Sequence, residues 1–266
     1  MDISLVHQMQ RKTRTEKHLS RWTSLATLAA MLLAWGLVAS LSGLPDFILP
    51  RPGQVWSRLL RALADGSLLM HTSVTLSEVL LGLAAGMLFA TILGYLIAKS
   101  RIFERAISPI LVASQAVPIV AVAPLLVIWF GPGVFSKMLI CGLIVFFPVL
   151  VNTVVGLRAV PRSLYELMAS LRASRWQTFR QLEVPAALPV FLGGLRIGAT
   201  LSVIGGVVGE LIGSNSGLGF LISVARGQYD TPLVFVAVLT LVALALSLYG
   251  IVILLEKRFL GWMETS

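Results

Sequence analysis

The sequence predicts an all-α membrane protein, and three observations carry that prediction. Hydrophobic residues make up 57% of the 266-residue chain and charged residues only 12%, whereas a soluble domain is about a quarter charged. The mean hydropathy is +0.90. The apolar residues gather in six runs of 20 residues or more, each able to cross about 30 Å of hydrocarbon, and not in the alternating ten-residue segments of a membrane β-barrel. So few charges cannot coat a soluble surface. Lipid removes that need and requires the backbone to bond internally, as a helix does.

Residues 1–21 form a basic tail, and the first span follows at Trp22–Ser42. Val38-Ala39-Ser40 resembles a weak signal-peptide cleavage site, but the apolar run is longer than a signal core, so a retained helix is expected. Arg51–Asp65 reads as a short amphipathic helix with Trp56, Leu59, Leu60 and Leu63 on its apolar side. The second span is Thr72–Ala98, with Glu78 near its start and expected at the interface. The third is Ala106–Phe130. Pro118 and Pro124 each remove a backbone donor there, so this helix is expected to be kinked or broken. At bilayer depth such a break is tolerated only against protein or a water-filled cavity. The fourth span is Phe135–Leu157, the fifth Ala187–Ile212 and the sixth Pro232–Leu255. Between the last two, the segment 213–231 contains Gly217, Gly219 and Gly227 and reads as a re-entrant turn or gate. The division is therefore a tail at 1–21, a six-helix domain at 22–258 and a second tail at 259–266.

Lysine and arginine counts orient the chain. The N-terminus, the loop after span two, the loop after span four and the C-terminus carry 15 of them; the opposite side carries five, namely Arg51, Arg58, Arg61, Lys137 and Arg226. Both termini are expected in the cytoplasm, with the chain crossing the membrane several times. The net charge of +9 is mostly this topology signal, and nucleic-acid binding is disfavoured. One cysteine, Cys141, excludes an intrachain disulfide and reads as packing. His7, His18 and His71 are scattered, so no metal site is expected, and no catalytic constellation, phosphate-binding loop or cofactor motif is visible. The chain is not expected to hydrolyse ATP. Small residues such as Gly205-Gly206 read as positions of close helix contact.

The segment between Gly156 and Pro189 is a basic insert, with its working part at about 158–186. Ser163 with Glu166, just after Pro161, and Ser174 with Gln177 fit two capping boxes. The first helix would carry Leu164, Leu167, Met168 and Leu171 on one face; the second would bring Trp176 and Phe179 together; Pro185 would end it. The residues alone fit either a helix pair lying on lipid headgroups or a docking face framed by Arg172, Arg175 and Arg180.

From Glu166 to Pro189 the chain reads ELMASLRASRWQTFRQLEVPAALP, and this resembles the EAA motif of bacterial ABC importer permeases: Glu-Ala-Ala, three residues, Gly, and later a hydrophobic residue, any residue, Leu and Pro. Glu166, Ala173 to Phe179 and Pro185 to Pro189 match. Gly194 to Gly198 and Gly217 to Ile222 extend the likeness, which runs from about Pro50 to the C-terminus. Leu167 and Met168 stand at the two Ala positions, implying a wider groove in the partner. Arg172 stands at the Gly position. A left-handed turn there would cost a non-glycine residue roughly 1–2 kcal/mol, so either Arg172 accepts it or the bend moves to Ala173–Ser174.

The resemblance implies the type I ABC importer permease fold, with the insert acting as the coupling element. It implies two permease subunits, identical or paralogous, two cytoplasmic ATPase subunits gripping the inserts, and an external binding protein. Glu166, Leu167, Met168, Leu171, Arg172, Ala173, Ser174, Arg175, Trp176 and Phe179 are the implied ATPase-coupling residues. Polar or proline-broken positions at bilayer depth are the pathway candidates: Gln115, Pro118, Pro124, Asn152, Arg196 and Glu210. Arg196 equally fits snorkelling, and Glu210 equally fits a structural bond to a neighbouring helix or loop. The run QAVPIVAVAPLLVIWFG, from Gln115 to Gly131, resembles the branch of sulfonate, nitrate, pyrimidine-precursor and riboflavin permeases, nearest the last two. An apolar path fits a flat heterocycle. A non-transporting scaffold and a proton-coupled carrier are the other readings; the sparseness of acidic residues in the span centres disfavours the carrier.

Overall fold

The computed structural model describes residues 29–261 and, before them, Thr23, Ala26 and Thr27. The basic residues Arg11, Lys12, Arg14, Lys17 and Arg21, together with His7, His18, the start of the first predicted span and residues 262–266, lie outside the described residues.

Every regular element among the described residues is helical. Helix α1 covers Ala29–Leu41, α2 Pro52–Ala64, α3 Ser67–Lys99, α4 Arg101–Gln115, α5 Ile119–Phe130 and α6 Val134–Arg158. The insert contributes α7, Arg162–Ser170, and α8, Arg175–Thr178; a π-helical turn at Phe179–Glu183 joins α8 to α9, Val184–Gly213. Two more helices follow, α10 at Leu218–Gly227 and α11 at Thr231–Leu260. Among the described residues, four helices are long and apolar enough to cross a membrane individually: α3, α6, the continuous stretch Arg175–Gly213, and α11. The third predicted run divides into α4 and α5. Pro118, at φ −65° and ψ 115°, is the N-cap of α5, so the break falls where the missing donor sits.

The core is built around α6, with α3 and α9 packed along it. Small residues permit this. A Cβ on Gly86 would lie 2.5 Å from the Gly142 carbonyl oxygen of α6, and one on Gly205 would lie 2.9 Å from the Cys141 Cα. The buried Cys141 thiol donates to the Ser202 carbonyl at 3.4 Å. Helix α1 meets α11 through Trp35, which stacks on Phe235 at 5.3 Å and donates its indole N–H to the Pro50 carbonyl at 3.1 Å.

Helix α2 forms, but its inner face differs from the expected one. Val55 and Ala62 are buried and Leu59 packs beside them, while Trp56, Leu60 and Leu63 are exposed. A helix of this length offers two overlapping apolar stripes. Tertiary contacts choose the narrower one, because Arg58 must face α11, where its Nε lies 2.7 Å from Asp230 Oδ2.

Candidate functional site

The insert is a rigid bend. At the end of α7, Arg172 adopts φ +52°. Its N–H donates to Ala169, and the Ala173 N–H donates to Met168 at 2.9 Å. These two bonds make a Schellman turn with arginine at the position that usually holds glycine. Arg172 therefore accepts the left-handed conformation, and the bend does not shift. Immediately afterwards the Ser174–Gln177 capping box closes: the Ser174 N–H donates to Gln177 Oε1 at 2.7 Å, and the Gln177 N–H to Ser174 Oγ at 3.2 Å.

Two local expectations fail. The Ser163–Glu166 box does not form, because Pro161 itself is the N-cap of α7 and its extended ψ of 140° starts the helix early, leaving Ser163 inside the first turn. Glu166 instead faces Arg162, 3.5 Å away on the exposed surface. Pro185 does not end the second helix either. The Val184 N–H donates to the Phe179 carbonyl, an i to i+5 bond, so the π turn widens the helix just before the proline and the chain continues into α9.

Outside this bend, Leu167, Leu171 and Trp176 are 52%, 68% and 66% exposed, while Met168 and Ala173 are half-buried. Trp176 stacks on Phe179 at 5.5 Å, and Phe179 meets the Tyr95 ring of α3 edge-on at 5.6 Å. An open cleft of about 500 Å³ separates Trp176, Phe179 and Arg175 from Thr91, Ile92, Tyr95 and Leu96 of α3.

Behind the insert, the buried Glu183 carboxylate is paired with Lys99 and accepts from the Tyr95 hydroxyl at 3.2 Å. Lys99 Nζ also lies 4.9 Å above the Tyr165 ring of α7. Burial first, and the Glu183 charge second, push the Tyr165 phenol above its ordinary value. On the neighbouring side, Arg158 Nη1 lies 2.7 Å from Glu104, and that hydrogen bond holds the Glu104 carboxyl below its usual range. Sequence reasoning passed over Lys99, Tyr95, Tyr165 and Glu183. The available signal was Glu183 itself, the single acidic residue between Glu166 and Glu210, placed at the mouth of a span.

The other end of the bundle holds a buried polar cluster. The first amides of α10 are satisfied by side chains from two long helices. The Gly217 N–H donates to His71 Nδ1 at 3.0 Å, Leu218 N–H to Thr75 Oγ1 at 2.8 Å, and Gly219 N–H to Glu210 Oε2 at 2.5 Å. Thr75 in turn donates to Glu210 Oε1 at 2.6 Å. This is helix capping in which partners from elsewhere in the fold replace a local N-cap. Gly217 sits at φ +103°, and a Cβ there would overlap the Glu210 carboxylate. Lys137 Nζ lies 3.3 Å from Glu78 and donates to the Pro132 carbonyl at 3.1 Å and Ser214 Oγ at 2.8 Å.

Glu78 is thus 1% exposed, enclosed by protein on all sides. Helix α3 starts at Ser67, ahead of the predicted Thr72, which carries Glu78 about 16 Å into the helix at 1.5 Å per residue. Lys137, counted with the less basic side in the charge tally, is buried in α6.

The pathway candidates do not converge on one place. Gln115 and Pro118 are exposed around the α4–α5 break, and Pro124 is half-buried within α5. Asn152 donates to the Pro148 carbonyl of its own helix at 2.8 Å and packs where Gly194 makes room on α9. Arg196 is paired with Glu256 of α11 and lies 5.6 Å from the Tyr249 ring. Glu210 belongs to the α10 cluster.

Residues 86–261 match the family described as the binding-protein-dependent transport system inner membrane component. The chain is 48% identical to the riboflavin transport system permease protein RibX of Chloroflexus aurantiacus, over 89% of this chain and 88% of that one. It is 37% identical to the formylaminopyrimidine transport permease protein ThiX of Halalkalibacterium halodurans, over 88% and 93%. It is 35% identical to the taurine transport system permease protein TauC of Escherichia coli, over 90% and 89%.

Proposed function

The chain belongs to the binding-protein-dependent transport system inner membrane component family, the permeases of ABC transporters, and from that premise we propose that it forms the translocation pathway of an importer for riboflavin or a pyrimidine vitamin precursor. Two copies, or this chain and a paralogue, line the path. Separate ATPase subunits supply the energy, and an external binding protein delivers the solute. Six spans cross the membrane, the first ending in α1 and the third broken between α4 and α5, with both termini and the insert in the cytoplasm. The lysine and arginine distribution supports that orientation.

The observation that carries the mechanism is the exposed apolar face of the insert. Leu167, Leu171 and Trp176 project from a bend held by a Schellman turn and a capping box, so a partner that grips this face moves the insert as one lever. ATP-driven closure of the ATPase pair then rocks the helices between inward- and outward-facing states. Arg172, Arg175 and Arg180 frame the face, and Glu166, Met168, Ala173, Ser174 and Phe179 complete it. Gln115 and the Pro118–Pro124 stretch are assigned to the path wall, where unwound backbone needs protein or water.

Co-purification in mild detergent is the direct test. ATPase subunits should accompany the wild-type chain and be lost from Glu166→Arg; a chain that purifies alone sinks the reading. The 48% identity to RibX supports riboflavin. Ligand screening of the accompanying binding protein separates this from the sulfonate alternative, for which the likeness to TauC speaks: binding of taurine with no affinity for any flavin or pyrimidine rejects the vitamin assignment.

A further inference from the structure

Lys99 stands at the last residue of α3 and touches both arms of the insert: Tyr165 of α7 lies under its ammonium at 4.9 Å, and Glu183 of the π turn is its ion-pair partner. Neither α7 nor α8 packs broadly on α3 among the described residues. Their links to that helix are these side chains and the Tyr95–Phe179 ring contact. Clefts flank the connection, the 500 Å³ opening beside Trp176 and one of about 520 Å³ lined by Tyr95, Lys99, Tyr165, Ala173, Arg175 and Glu183. The insert runs on through the π turn into α9, but towards α3 its movement has only a few side chains to pass through.

The pair is also asymmetric. The Glu183 side chain is 4% exposed and that of Lys99 37%. A carboxylate so buried depends on its cation, because an unpaired buried charge is far more costly than an unpaired surface one. Glu183 reaches Lys99 from a π turn, a wider helical turn that recurs at functional positions. The exposed Trp176 is connected to the same place through Phe179 and Tyr95, a chain of ring contacts at 5.5 and 5.6 Å.

We propose that Lys99 and Glu183 are positioning residues that form the joint between the insert and α3, so that movement of the insert reaches α3 through this ion pair and its two flanking tyrosines. The inference rests on the reading of the insert as the ATPase contact and names the point where that contact is converted into helix movement. The joint is distinct from the gripping face: losing the face detaches the ATPase, while losing the joint leaves the ATPase attached and hydrolysing, with its movement no longer passed on.

The test uses the complete transporter in lipid nanodiscs, with nitroxide labels at Ser77→Cys on α3 and Val238→Cys on α11. Both positions are exposed and the native Cys141 is buried. In the otherwise unaltered protein, trapping with ATP and vanadate should change the distance between the labels. Glu183→Gln should lose that change while complex yield stays normal and ATP hydrolysis stays within about twofold; Lys99→Met, which leaves the buried carboxylate unpaired, should lose it too, at a lowered melting temperature. Lys99→Arg should keep the change, and the exchanged pair Lys99→Glu with Glu183→Lys should restore it. A merely structural role would lower yield and melting temperature together and would not separate hydrolysis from movement. Normal distance changes in both neutral variants overturn the inference, as does an exchanged pair that folds and fails to restore the movement. If Lys99→Met does not fold, Tyr165→Leu serves in its place, and an unchanged distance response in that variant overturns it equally. A wild-type chain that binds no ATPase subunit overturns the inference together with the reading beneath it; one that binds ATPase normally, with normally responding variants, overturns the joint alone.

Discussion

His71, Thr75 and Glu210 are buried at one end of the bundle and direct their polar atoms onto the first turn of α10, whereas Leu167, Leu171 and Trp176 stand exposed at the other end on a bend made mostly of local hydrogen bonds. The α10 cluster is closed: its amides, its carboxylate and its glycine positions answer one another within the chain. The insert satisfies its backbone and leaves its apolar side chains without cover. The two ends therefore differ in what a substitution should remove. In the cluster it should remove folding stability; on the insert, under the proposed ATPase-contact reading, it should remove contact with another molecule.

The sharpest way to break that contrast is Glu210→Ala. It strips the buried Gly219 amide of its acceptor and Thr75 of one of its two, which costs roughly 1–3 kcal/mol for a buried group left unsatisfied, read as a clear fall in the melting temperature of the purified protein. A melting curve unchanged from wild type would show that the cluster is not a stability element. Trp176→Ala should do the reverse. Its melting temperature should hold within the small range of surface changes, and recovery of ATPase subunits should fall by the roughly 2 kcal/mol of an interface anchor. Equal recovery would remove Trp176 from the gripping face.

Smaller effects sharpen the account of the insert itself. Arg172 sits at φ +52°, so Arg172→Val, which forces a β-branched residue into the left-handed region, should destabilise by about 1–2 kcal/mol, and Arg172→Gly should not. If valine is tolerated as well as glycine, the turn has relaxed in solution. The smallest effect concerns Glu104. Its carboxyl is held low by Arg158, so the pairing contributes above the unfolded-state value and is lost as pH falls through the lowered folded one. Glu104→Gln should therefore differ from wild type at neutral pH and converge with it only as the pH falls past the ordinary carboxylate range and through the lowered folded value, measured as melting temperature against pH.

Much of the architecture was legible before any coordinates. The break at Pro118 follows from a missing donor, the Ser174–Gln177 box from two side chains three residues apart, and the Arg172 turn from a position where a left-handed residue was expected. The failures have a common cause. Pro161 pre-empted Ser163 as the cap of α7, and a π turn absorbed Pro185; in each case two local rules applied to one short stretch and the sequence did not rank them. The inner face of α2 was misplaced, and the burial of Glu78 against protein missed, for a different reason: both depend on which helix lies alongside.

Composition and hydrophobic periodicity determined the helical class, the apolar runs and the insert between them, because each depends on residues within a few positions of one another. Only the tertiary structure decided that Glu210 meets Thr75 across 135 residues, or that Lys99 meets Glu183 across 84. A buried charge takes its partner from whatever element packs against it, and close packing of α3, α6 and α9 is what brings those elements together.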